Sequence, residues 1–278
     1  MTTGSGSNRP LADAQRVVVK LGTGLLTGGV GVLDTDIMAK LVAQIIALHQ
    51  RGVEVLVVSS GAVAAGRQAL EGRADPADNV TLRQALAAVG QSKLMQVYEG
   101  LFAASHVSVA QALLTQGDIE DDVHRQNTQN TLRELLRLRV VPIINENDVV
   151  AVDELEGVVI GDNDTLSGVV ARMVKADLLV ILGEVAGLFS ADPNTNMDVT
   201  LIPVVEDLDG LEAEVSGPLS DRARGGMVTK IRAARQATSA GTSVVIADGR
   251  EPEVLTRLLA GESLGTWFPP NTAKVDRR

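Results

Sequence analysis

The chain has 278 residues and a mass of 29.1 kDa, with 25 basic and 35 acidic side chains, a net charge of −10 and a sequence pI near 4.8. That balance excludes nucleic acid and anionic membrane as general partners, because no basic excess exists to neutralise phosphates, although a local pocket for a small anion stays open. Apolar residues make up 45% and aromatic residues 2%, so the core must be Val, Leu, Ile and Ala, and the absence of cysteine excludes disulfides, thiolate metal sites and cysteine nucleophiles.

The first stretch, MTTGSGSNRPLADAQ, is small and polar and contains no apolar signal core. No apolar run approaches the ~20 residues of a membrane helix, so the expectation is a cytoplasmic protein. Residues 1–15 read as a flexible lead-in. Arg16–Leu21 (RVVVKL) reads as a buried strand. Thr35–Gln50 carries Ile37, Leu41, Ile45 and Leu48 at helical spacing, with Asp34 or Thr35 as cap and Gly52 as stop. Val53–Val58 reads as a strand, residues 80–103 and 127–138 as helices, and Val107–Leu114 and Val140–Ile144 as strands. Val149–Val152 and Gly157–Ile160 are predicted to pair as a hairpin. A helix from about 163, a strand at Leu178–Leu182, a helix from about 228 and strands at Ser243–Ile246 and Thr266–Phe268 follow, with 269–278 as a tail. The alternation predicts an α/β fold, a mostly parallel central sheet covered on both faces.

Ligands in such sheets bind beyond the carboxyl ends of the strands, so the polar loops there are the candidate sites. Lys20 ends the first strand, and Gly22, Thr23 and Gly24 follow. Small residues let backbone amides approach a phosphate while Lys supplies a charge; the alternative is an ordinary tight turn. Ser59, Ser60, Gly61 and Ala62 open a helix, as an anion site or as a plain N-cap. Asn145-Glu146-Asn147-Asp148 follows a buried strand and suits an ammonium plus a carboxylate, as in an amino acid. Asp162-Asn163-Asp164 offers more acceptors than a helix cap needs, and these carboxylates could hold a substrate ammonium or orient lysines. Gly225-Gly226-Met227, with Lys230 a turn further on, has the composition of a second phosphate cradle; the alternative is a flexible loop and a surface lysine. No Walker P-loop, dinucleotide fingerprint or metal motif occurs, and His49, His106 and His124 are isolated. Tyr98 and Trp267 read as packing.

Taken in order, the segments VVVKLGTGLLTGG, VVSSGAVAAGR, QALAAVGQSKLMQVYEGLF, NTLRELLRLRVVPIINENDVVA, GDNDTLSGVVA, GLFSADP and GGMVTKIRAARQATSAG resemble the amino acid kinase superfamily. Within it they are similar to the glutamate 5-kinase family, over about residues 16–268. The pairing of INEND with GDND is the most specific part. The resemblance implies a three-layer α/β/α sandwich and ATP-dependent phosphorylation of the γ-carboxylate of L-glutamate, the first step of proline synthesis. It implies that Lys20 and Lys230 neutralise the transferring phosphoryl group and that Asp164 holds them. Ser60, Gly61, Ala62, Asn145, Asp148, Asp162 and Asn163 would bind glutamate. Lys20, Gly22, Thr23, Gly24, Gly183, Glu184, Gly225, Gly226, Met227 and Lys230 would contact ATP, with Mg²⁺ carried mainly by the phosphates. Residues 16–175 would form a glutamate-binding lobe and 176–268 a nucleotide-binding lobe. A homodimer or homotetramer, and proline as feedback inhibitor, are implied in the same way; the helix at 80–103 is a candidate interface.

The chain departs from the family pattern in three places. Gly183-Glu184 replaces a Thr-Asp pair, so a hydroxyl is lost and the carboxylate is one methylene longer. Residues 216–227 replace a Gly-Thr-Gly-Gly-Met segment and bring Arg222 and Arg224. No RNA-modification-enzyme-like domain is expected after residue 268. The first two changes fall on the nucleotide side, so the alternatives are a glutamate- or proline-binding homologue with an impaired nucleotide site, or a kinase of this fold using another acid or nucleotide.

Overall fold

A computed structural model describes residues 11–29, 31–70, 79–151, 163–191, 199–208 and 221–271, with only the backbone for 221–225. The strands are β1 (Arg16–Leu21), β2 (Glu54–Ser59), β3 (Val109–Leu114), β4 (Val141–Glu146), β5 (Leu178–Gly183), β6 (Ser243–Asp248) and β7 (Thr266–Phe268). The helices are α1 (Thr23–Thr27), α2 (Thr35–Gln50), α3 (Ala62–Ala69), α4 (Val80–Ala103), α5 (Gln116–Glu120), α6 (Asp122–Arg137), α7 (Asn163–Val174), α8 (Asp221–Thr238) and α9 (Val254–Leu258). The strands form one sheet in the order β3-β4-β2-β1-β5-β6-β7, parallel except that β7 runs antiparallel to β6. The chain first builds outward from β1 through β2 and then returns across it to add β5. That reversal puts the ends of β1 and β5 at the switch point where α/β sheets bind ligands.

Strand alternation divides the core and places the site. Val17, Val19 and Leu21 of β1 pack with Met38, Leu41 and Ile45 of α2 and with Leu94 and Tyr98 of α4. Val18 packs on the opposite face, with Val170 of α7 and Ile231 of α8. By the same period Lys20 belongs to the α7 and α8 face, at the carboxyl end of a strand buried on both sides. Asp34 caps α2 by accepting from the amides of Asp36 and Ile37, and Asn79 caps α4 by accepting from Leu82. Helices α3 and α4 cross with almost no space between their backbones. A Cβ on Gly66 would lie 1.9 Å from the Leu86 carbonyl oxygen, and one on Gly90 would lie 1.8 Å from that of Ala62.

Several elements differ from the sequence expectation. Helix α6 begins at Asp122, five residues early, because Asp121 accepts from the amides of Val123 and His124 and starts the helix in a polar stretch. Helix α8 begins at Asp221 and runs through Gly225 and Gly226, so no Gly-Gly loop precedes it near 228. The helix formers around the glycines outweigh the ~1 kcal/mol that each glycine costs. Asp148–Val150 form a turn, not the start of a hairpin strand, since the amides of Val150 and Ala151 both donate to the Asn147 carbonyl. Residues 152–162 lie outside the described residues, so Gly157–Ile160 and Asp162 do as well.

Candidate active site

The carboxyl ends of β1, β2, β4 and β5 meet the first turns of α3 and α7 and the middle of α8, where Lys230 stands. Three charged side chains converge there. Lys20 is 4% exposed, and its Nζ pairs with Oδ1 of Asp164, which is 1% exposed in the first turn of α7. Lys230 Nζ donates to the other oxygen, Oδ2, at 2.9 Å and to the Gly226 carbonyl at 3.0 Å. The Thr229 hydroxyl lies 2.9 Å from Oδ2 of Asp164, a contact the sequence did not point to. One carboxylate between two ammonium groups leaves the cluster with net positive charge. Burial pushes the Asp164 carboxyl up, but the attraction of Lys20 and Lys230 outweighs it and holds the group below the usual carboxylate range. Asp164 is therefore ionised, and it fixes the separation of two cations that would otherwise repel.

Beside this cluster stands a neutral group of amides and hydroxyls. Asn163 Nδ2 donates to Ser60 Oγ at 3.0 Å and to Asn145 Oδ1 at 3.1 Å. Asn145 is 2% exposed; its Oδ1 also accepts from the Glu146 amide at 2.9 Å, and its Nδ2 donates to Gln91 Oε1 at 2.9 Å. Asn163 Oδ1 is buried and has no hydrogen-bond partner among the described residues. Ser60 precedes Gly61, whose φ of +100° turns the chain into α3 and places Ala62 at its start. Ser59, on the opposite side of the strand from Ser60, donates to the Ser60 carbonyl at 3.0 Å and contacts the Tyr98 hydroxyl at 2.8 Å. With the Ser59 proton committed, Tyr98 is the donor. Burial pushes its phenol up, so it stays protonated. Asp148 lies half-buried in the turn after β4.

The switch point carries the glycine-rich turn. The Gly22 amide donates to the Leu182 carbonyl, Thr23 is exposed at the start of α1, and the carboxylate of Glu184 lies where a side chain on Gly24 would begin. Gly183 is buried at the end of β5, and a Cβ there would lie 3.6 Å from Lys230 Cε. Arg250 pairs with Asp248 at 2.8 Å and donates to the Glu184 carbonyl at 2.6 Å. Gly225, Gly226 and Met227 occupy the second turn of α8, where amides are committed to the helix; Met227 packs on the α7 and α8 core. Among the described residues no group of three or more His, Asp or Glu side chains could hold a metal ion, and no helix is long and apolar enough to cross a membrane.

Comparison with known proteins gives the class first. Residues 15–248 match the amino acid kinase family, and the chain belongs to it. Solved structures agree in fold: a UMP kinase from Bacillus anthracis is 16% identical with a TM-score of 0.62, covering 93% of this chain and 97% of that one. An isopentenyl phosphate kinase is 16% identical with a TM-score of 0.61, covering 91% and 99%. Within that family the chain belongs with the glutamate 5-kinases. It is 49% identical to the glutamate 5-kinase of Dehalococcoides mccartyi over 95% of this chain and 71% of that protein. It is 50% identical to that of Herpetosiphon aurantiacus over 95% and 70%, and 47% identical to that of Chromohalobacter salexigens over 99% and 71%.

Proposed function

We infer that the protein transfers the γ-phosphoryl group of ATP to the γ-carboxylate of L-glutamate, forming L-glutamyl 5-phosphate and ADP, the first step of proline synthesis. The observation that carries this reading is the juxtaposition of a buried Lys20–Asp164–Lys230 cluster with a neutral Ser60–Asn163–Asn145 group through the adjacent residues Asn163 and Asp164. The first is a place for a phosphoryl group, the second for a small polar acid.

The chemistry asks for little else. A carboxylate is already a nucleophile at neutral pH, so no general base is required. Catalysis reduces to holding the γ-carboxylate oxygen in line with the γ-phosphorus and stabilising charge on the phosphoryl oxygens. Each lysine ammonium has three donors, and Lys230 commits two of them to Asp164 and Gly226. The remaining donors of Lys20 and Lys230 face the phosphoryl group. Asp164 and Thr229 keep both lysines in place, so they need not reorganise during transfer. Ser60 and the amides of Gly61 and Ala62, at the start of α3, take the α-carboxylate. Asn163 Oδ1, Asp148 and Asp162 take the ammonium, with Asn145 behind them. Gly22, Thr23 and Gly24 wrap the phosphates, and Gly183, Glu184, Gly225, Gly226 and Met227 border the nucleotide in the half after residue 176. Mg²⁺ enters on the ATP phosphates, as befits a site whose described residues form no carboxylate cage. The protein acts in the cytoplasm as a homodimer or homotetramer, with proline as feedback inhibitor.

The test is ADP release by the purified protein with Mg-ATP and L-glutamate, against L-aspartate, N-acetyl-L-glutamate and no acceptor. Glutamate-dependent release that disappears in Lys230→Ala is the expected result. Release independent of acceptor, or none while glutamate still binds by calorimetry, contradicts the reading.

A further inference from the structure

The amide chain of the glutamate site has a direction, and one backbone group sets it. The Glu146 N–H can only donate, and it points at the Asn145 side chain, so the atom facing it must be Oδ1. Asn145 then presents its NH₂ away from the site, toward α4. The side chain it meets there must offer an acceptor, and Gln91 does so with Oε1 at 2.9 Å. The Gln91 NH₂ is left to donate outward, to Gln111 Oε1 at 3.3 Å on the edge strand β3. Toward the site the same logic continues. Asn145 Oδ1 demands a donor, so Asn163 turns its NH₂ inward, and its Oδ1 is left buried and open.

We propose that Gln91 is a positioning residue: as the acceptor for Asn145, it locks the polarity of the Gln91–Asn145–Asn163 chain, so the site presents an oxygen to the substrate ammonium. Gln91 is 8% exposed on the buried face of α4, and nothing apolar of its shape could do this. Without that acceptor the Asn145 NH₂ is a buried donor with no partner. Rotation toward Asn163 would relieve it only by giving up the Glu146 N–H contact, so neither orientation satisfies every donor and the two mix; in the rotated one Asn163 must turn its own oxygen inward and offer NH₂ to the ligand. A donor would face a donor, and preference for an amino acid over the same diacid without its amine would collapse. This rests on the glutamate reading above, and the test separates the two.

Gln91→Met keeps length and removes the acceptor; Gln91→Glu keeps an acceptor, and the exposed Gln111 can turn its NH₂ to meet it. Calorimetry would compare L-glutamate with glutarate, which lacks the amine. In Gln91→Met the preference for glutamate is expected to fall about tenfold, the size of one buried hydrogen bond. In Gln91→Glu most of it should return, and KM for ATP should be unchanged in both. The side-chain ¹H–¹⁵N signals of Asn145 in ligand-free protein give a second readout, protected from solvent exchange in wild type and Gln91→Glu and unprotected in Gln91→Met. Equal loss of preference in both variants, an unchanged preference in Gln91→Met, or an unprotected Asn145 amide in wild type overturns the proposal. Failure of the wild type to bind glutamate, with that amide protected, overturns the glutamate reading and leaves the polarity lock standing.

Discussion

The two ends of the site are built by opposite means. On the β2 and β4 side the groups are neutral, buried and joined by hydrogen bonds: Ser60, Asn145 and Asn163 in contact, with Gln91 and Tyr98 behind them on α4. On the β5 and β6 side the polar groups are charged and far more exposed: Glu184 over the glycine-rich turn, and Asp248 paired with Arg250. Buried neutral groups leave no slack, because each unmet donor or acceptor costs about 1–3 kcal/mol. Such a wall discriminates by geometry. Exposed charges attract phosphates but can move and are screened. On the proposed function the small acceptor would be held rigidly and the nucleotide adaptably. Gly183 and Glu184 lie on the exposed, charged side, and Ser60, Asn145 and Asn163 on the buried, neutral one.

The comparison can be broken first at the seam. Asp164→Asn keeps the shape and removes the charge that holds the two ammonium groups together. We expect kcat to fall by a factor of about 10²–10³, the scale of losing one preorganised charge contact, while the glutamate Kd changes only a few-fold. Steady-state kinetics and calorimetry check this, and a Kd that rises as far as kcat falls would erase the distinction between the two ends. Next is the packing that carries the glutamate wall. Gly90→Ala places a methyl 1.8 Å from the Ala62 carbonyl, at the first residue of α3. A loss of about 3 kcal/mol in denaturant unfolding is expected, together with a raised KM for glutamate and little change for ATP.

Acid sharpens the same picture. The folded-state carboxyl of Asp164 titrates below its ordinary value of 3.8, so its contribution to stability is present above that value and is lost as pH falls through the depressed one. Thermal melts should show the advantage of wild type over Asp164→Asn constant from about pH 5 to 7 and shrinking below about pH 4. The smallest effect belongs to the exposed side. Arg250→Ala should cost at most about 1 kcal/mol, less at high salt, because its pair with Asp248 is open to solvent. Its mark should be on KM for ATP and not on that for glutamate.

Much of the fold was legible because the residues repeat. The RVVVKL, VEVLVV and TWF runs mark β1, β2 and β7, and the 80–103 pattern coincides with α4. The five-residue helices α1, α5 and α9 were not legible, since one turn carries no period to detect. Gly225-Gly226 read as a break, but in α8 they are simply spanned. Within the site, the ends of strands pointed to Lys20, Ser60 and Asn145 and the helix start to Asn163 and Asp164. The residues behind them did not stand out. Gln91 lies 54 positions from Asn145, and only the fold brings them together. Tyr98 does pack in the core, but its hydroxyl also fixes Ser59, a contact that apolar surroundings concealed. Thr229 was masked by its neighbour Lys230.

The central claim is that a glutamate γ-carboxylate oxygen attacks phosphorus between Lys20 and Lys230. The most direct measurement supplies L-glutamate labelled with ¹⁸O in its γ-carboxylate, together with Mg-ATP. The acyl phosphate formed is attacked by its own amine, which closes a ring by breaking the carbon–oxygen bond and releases phosphate carrying the bridging oxygen. The account predicts one ¹⁸O in each phosphate released, by mass spectrometry, and none in Lys230→Ala above background. Phosphate with no label, released at the rate of ADP formation, would mean that water attacks and would contradict it.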